Sequence, residues 1–161
     1  MPKYDLNEAL DNVELTYNEI IDIANDSVAE LTGDLDDLIN RVYNNIERLT
    51  NDDIRDTLLR LSLRAFSFSA IKDKAAFKAT LAESLRKEAY AKSYNTLGGT
   101  ISSRDAQATL SISNEIVVEH VYNLTASLFK TKLDQVHRCV DTLKTVLMSR
   151  LSEAKLCNIE G

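Results

Sequence analysis

Breakers are the scarcest commodity in this chain: 161 residues contain four glycines and one proline, and the proline is residue 2. Sheets of this length need turns, and turns draw on Gly, Pro and Asn for their unusual backbone geometry. So few breakers favour long helices, and Leu, Ala, Glu, Lys and Arg lose little on entering one. Hydrophobic residues make up 44% of the chain, enough for a packed core. The expected fold is all-α: a single helical domain over residues 1–161, forming an elongated helical bundle with a long C-terminal helix or helical hairpin.

Apolar spacing locates the helices. Asp5 and Glu8 suit a capping box. Leu6, Leu10, Val13, Tyr17, Ile20, Ala24 and Leu31 then form a stripe that predicts a helix over 6–31, with Gly33 as its left-handed cap. Asp34 restarts the chain, and Leu35, Leu38, Ile39, Val42, Ile46 and Leu49 share the next face. Asn51 or Asp52 is the expected cap of a further helix, whose core positions are Ile54, Leu58, Leu61, Ala65 and Phe68. Phe66, Ser67 and Ser69 weaken the pattern and predict a kink near 67–72. Helicity is strong from Lys74 to Tyr94 and stops at Gly98-Gly99. Ser102 or Ser103 is the expected start of a long helical region over 102–157. One seam there is Val117, Val121, Leu124 and Leu128; a second, slightly rotated one is Phe129, Leu133, Val136, Val140, Leu143, Leu147 and Leu151. A helix of about 50 residues would be about 75 Å long, too long for a compact domain of this size, so it either bends or packs against other subunits, and a homo-oligomer is expected.

Charge divides the chain into thirds. Residues 1–56 hold 15 acidic against four basic residues, a balance of −11. Residues 57–104 hold nine basic against three acidic, a balance of +6, and residues 105–161 are nearly neutral. The acidic helices thus occupy roughly 1–50 and a basic segment 51–98. Within that segment Arg60, Arg64, Lys72, Lys74, Lys78, Arg86, Lys87 and Lys92 alternate with Phe66, Phe68, Phe77, Tyr90 and Tyr94. Cations neutralise phosphates and aromatic faces stack on unpaired bases, so the pattern fits single-stranded nucleic acid. It equally fits cations that solvate the helix and pair with the acidic segment, over aromatics that belong to the core. The acidic segment in turn could mimic nucleic acid or mask the basic surface. Whether acidic helices pack over residues 72–92 decides between these readings.

Catalytic patterns are weak. His120 and His137 stand 17 residues apart, and neither has a ligand-like partner one turn away. Glu115 and Glu119 lie one turn apart, but no Glu-x-x-His pair of a di-metal bundle occurs. The aspartates at 34, 36, 37, 52 and 53 lack the alternation, central Gly and closing Glu of a calcium loop, and suit helix starts. Gly98-Gly99 lacks a phosphate-loop pattern. Cys139 and Cys157 read as reduced thiols. No apolar run approaches the roughly 18 residues of a membrane span, and the acidic N-terminus does not read as a signal peptide. The expectation is a non-catalytic, cytoplasmic protein without metal or cofactor.

Arg86-Lys87-Glu88-Ala89-Tyr90-Ala91-Lys92-Ser93-Tyr94 runs into Gly98-Gly99, and a long helix follows with Asn114-Glu115, Tyr122, Lys132, Leu143, Val146, Arg150 and Lys155. This order, in residues 86–155, resembles the phage UvsY-like recombination mediators, in which a basic helix with interleaved tyrosines precedes a Gly-containing break and a long helical region. The resemblance implies an all-α oligomer in the host cytoplasm that binds single-stranded DNA and helps load a recombinase onto it. On that reading Arg86, Lys87, Tyr90, Lys92 and Tyr94 fall in the DNA-contacting stretch; the basic pattern of the helix, apart from the resemblance, adds Arg64, Lys74 and Lys78 as candidate contacts. The acidic first third and the polar stretch Ala106 to Asn114 depart from the family pattern. The competing expectation is a protein-interaction module, such as a phage-encoded inhibitor or virion assembly component, acting through its acidic helices.

Overall fold

A computed structural model describes the backbone of residues 6–157 and the side chains of 16–156. The fold is all-α, with four helices and no strand among the described residues: α1 (Leu6–Asn45), α2 (Asn51–Thr96), α3 (Ile101–Ser111) and α4 (Ser113–Cys157). No described helix is long and apolar enough to cross a membrane. The Asp5–Glu8 box, the side chains of Leu6, Leu10 and Val13, and that of Cys157 lie outside the described residues.

One sequence-based break is absent. α1 runs through Gly33, whose backbone is not left-handed, so the expected cap at residue 33 and restart at Asp34 are corrected. Glycine lowers helix propensity by about 1 kcal/mol, which tertiary burial on either side outweighs. The buried stripe accordingly steps Ala24, Val28, Thr32, Leu35, Ile39, Val42, and Leu31 turns outward. α2 is continuous through 67–72, the stretch expected to kink, and there Ser67 Oγ donates to the carbonyl of Leu63, a bond of the kind that often bends a helix.

Caps fall one to three residues earlier than the sequence suggested. Thr50, not Asn51 or Asp52, caps α2: Asp53 N–H donates to Thr50 Oγ1 at 3.1 Å, and Thr50 N–H donates back to Asp53 Oδ2 at 3.0 Å. Leu49 and Ile54, flanking this box, are both in the core, as a hydrophobic staple requires. Thr100, not Ser102 or Ser103, caps α3 by accepting from the N–H of Ser103. Gly99 supplies the turn before it with φ of 109°, a region that L side chains rarely adopt. A break at Ile112 separates α3 from α4, so the expected region 102–157 is a short helix followed by a 45-residue one. Ser111, Ser113 and Asn114 are weak helix formers, and the turn buries Ile112.

The helices contribute to two compact units. One combines Glu30–Lys72 with Phe129–Gly161. Its core comprises Leu35, Ile39, Val42 and Leu49, then Ile54 and Leu61, then Val136, Cys139, Val140 and Leu143. Phe68 packs edge-on against Phe129 at 5.3 Å between ring centres. Arg150 of α4 reaches the end of α1 and donates to the carbonyls of Ile46, Glu47 and Leu49, satisfying acceptors that a helix end leaves open. The other unit combines Met1–Ala29 with Asp73–Leu128. Its buried positions are smaller: Ala24, Val28, Ala75, Ala79, Ala82, Ala108, Ile112 and Thr125. The seam Val117, Val121, Leu124 and Leu128 is only half-buried here, whereas Phe129 through Leu143 of the second seam are buried in the first unit.

Candidate functional site

The eight residues that the sequence offers to nucleic acid all lie on α2, and most are engaged within their own unit. In the unit containing residues 30–72, Arg64 donates to the carboxylate of Asp34 on α1. Nearby, Lys132 of α4 pairs with Asp36. Asp37 lines an open hollow with Leu38, Arg41, Arg60 and Leu63.

The remaining seven lie in the other unit. Arg86 donates through Nε to Glu119 of α4, and this pair is largely withdrawn from water, at 29% and 15% side-chain exposure. A half-buried, hydrogen-bonded ion pair does not release its cation cheaply. Lys87 pairs with Glu83 one turn back, and this contact holds the Glu83 carboxyl below its usual range. Tyr90 donates its hydroxyl to Asp105 of α3; that bond raises the phenol's pKa, because ionisation would destroy the donor. Tyr94 stacks on Tyr90 at 5.9 Å, and the Arg104 guanidinium lies 4.1 Å from the Tyr94 ring centre. Lys78 sits over the Tyr122 ring at 5.6 Å. Lys74, Lys78 and Lys92 are exposed and pair with no carboxylate among the described residues.

Among the described residues, acidic partners of the stretch 72–92 include Glu83, Asp105 and Glu119, from α2, α3 and α4. Among the described residues, Asp34 and Asp36 of α1 bind Arg64 and Lys132. Along α1, Glu19, Asp22 and Asp26 are spaced on one helical face, exposed and unmatched by a cation among the described residues.

Sequence reasoning missed an apolar groove between α2 and α4 in this second unit. It has a volume of about 460 Å³ and is lined by Lys78, Leu81, Ala82 and Leu85 of α2 with Glu115, Val118 and Tyr122 of α4. Phe77, Leu81 and Leu85 recur every four residues and are 69%, 48% and 53% exposed. That periodicity is visible in the sequence, but hydropathy alone does not show that the smaller Ala75, Ala79 and Ala82 are the buried ones.

No cluster of three or more His, Cys, Asp or Glu that could hold a metal ion occurs among the described residues. His120 and His137 are both exposed. His137 lines an open hollow with Ser62, Ser69, Leu133 and Lys144, and no carboxylate lines it. Cys139 is buried in the core, and burial pushes its thiol pKa up, away from thiolate chemistry. Comparison with protein-family models, curated proteins and solved structures finds no match to this chain.

Proposed function

We propose that this chain is a non-catalytic interaction and assembly module that engages protein partners through its helix faces. The observation that carries this reading is the state of the basic helix. Arg64, Arg86 and Lys87 hold carboxylates of their own chain, and Tyr90 is tied to Asp105. Phosphate would have to displace those partners, so its electrostatic gain is diminished. What α2 presents openly is hydrophobic: Phe77, Leu81 and Leu85, beside an open groove. Contiguous exposed apolar surface of this kind marks protein contacts. The acidic face of Glu19, Asp22 and Asp26 supports the same reading, because unmatched like charges one turn apart weaken a lone helix and suit a cationic partner.

A second reading is single-stranded DNA binding of the recombination-mediator kind. One corner favours it: Arg104 covers Tyr94, its Nε is buried without a hydrogen-bond partner, and Tyr90 extends the aromatic stack. A labelled single-stranded oligonucleotide titrated with protein at low salt separates the two. The interaction reading predicts no saturable change in anisotropy at micromolar protein. Saturable binding that weakens steeply as salt rises would contradict it and favour the second reading.

A further inference from the structure

We infer that the Phe77–Leu81–Leu85 face of α2 is the contact for a second copy of this chain, the two α2 helices packing antiparallel about a two-fold axis at Leu81. The inference rests on the interaction reading and names its partner. An interface across a two-fold axis must be complementary to itself, so each residue meets the one equally far from the axis in the opposite direction. The α2 face satisfies that condition position by position. Four residues before Leu81 stands Phe77, and four after it stands Leu85. Each Phe77 therefore meets the other copy's Leu85, and Leu81 meets itself. Seven residues before Leu81 stands Lys74, and seven after it stands Glu88. Both are exposed, and neither forms an ion pair among the described residues.

Antiparallel pairing brings each Lys74 against a Glu88 of the other copy, closing the apolar strip with an ion pair at both ends. All five positions fall on one face by the helical repeat, as steps of three and four residues require. Parallel packing in the same register would instead oppose Lys74 to Lys74 and Glu88 to Glu88, which charge repulsion disfavours. Val118 and Tyr122 of α4, lining the same groove, widen the apolar surface that the second copy covers.

The test is self-association of the intact chain, measured by light scattering and sedimentation. Wild type should assemble to twice the 18.0 kDa chain mass. Lys74→Glu and Glu88→Lys, both at exposed positions, should each weaken the dimer roughly tenfold, because each places like charges together at both ends. An equimolar mixture of the two variants should recover a dimer holding one copy of each. Leu81→Cys, combined with Cys157→Ser, should form a disulfide-linked pair under mild oxidation; circular dichroism confirms that each variant is folded. A monomeric wild type overturns the inference, as does a dimer that ignores both charge reversals or fails to cross-link at position 81. Those failures leave the interaction reading intact, because the oligonucleotide titration tests it separately.

Discussion

Single residues decide where the helices begin, end and continue. Gly33 is the sharpest case, because the sequence reads it as a stop and the structure carries a helix through it with open space where a Cβ would stand. Gly33→Ala should therefore stabilise the protein by about 0.5–1 kcal/mol in urea unfolding. Were Gly33 a left-handed cap, the same change would destabilise. Thr50 and Asp53 offer a titratable counterpart. The hydrogen bonds from Thr50 hold the Asp53 carboxyl below its ordinary pKa, so its contribution is present above that value and lost as pH falls through the folded one. Asp53→Asn should lower stability at pH 7, and the difference from wild type should shrink as the pH falls below 4. Residues such as these limit what a sequence yields. Thr50, Asn51 and Asp52 are all competent caps, and only the positions of Leu49 and Ile54 in the core select Thr50.

At the scale of the element, the periodic stripes were legible, as was the stop at Gly98-Gly99, but the continuity through Gly33 and the break at Ile112 were not. Leu35, Ile39, Val42, Ile54, Leu61, Phe68, Val136, Val140 and Leu143 all stand buried where the apolar repeat places them. The stripe failed where small or polar residues carry the seam. Thr32, Thr57 and Thr125 are buried, as are Ala75, Ala79 and Ala82, and none of them stands out in a hydropathy pattern. Hence the face of α2 with the larger side chains reads as core although it is open to solvent. The same holds for the tyrosines: their spacing is visible in the sequence, but their bonds to Asp105 and Arg104 depend on how α3 folds back after Gly99. Arg150 illustrates how one helix supports another. Its guanidinium satisfies the end of α1, so Arg150→Ala should cost about 1.5–3 kcal/mol by chemical denaturation, with Arg150→Lys recovering only part. Leu143→Ala, which hollows the core of the same unit, should cost about 2–5 kcal/mol.

Over the whole molecule, the uneven charge is the property that composition alone conceals. A net charge of −6 is the remainder of an acidic first third and a basic middle. These regions do not simply cancel each other: Asp34 and Asp36 bind Arg64 and Lys132, whereas Arg86 and Tyr90 are matched from the last third by Glu119 and Asp105. Two substitutions should therefore have separable effects. Glu119→Gln should free Arg86 and raise affinity for single-stranded DNA, read by fluorescence anisotropy, whereas Phe77→Ser should leave that affinity unchanged and weaken protein association. The most direct test of the central claim is size-exclusion chromatography with light scattering, run at low salt with a labelled single-stranded oligonucleotide. An interaction module predicts that the oligonucleotide elutes apart from the protein, and the α2 pairing adds that the protein elutes at twice the 18.0 kDa chain mass. Co-elution of protein and oligonucleotide, lost as salt is raised, would contradict it.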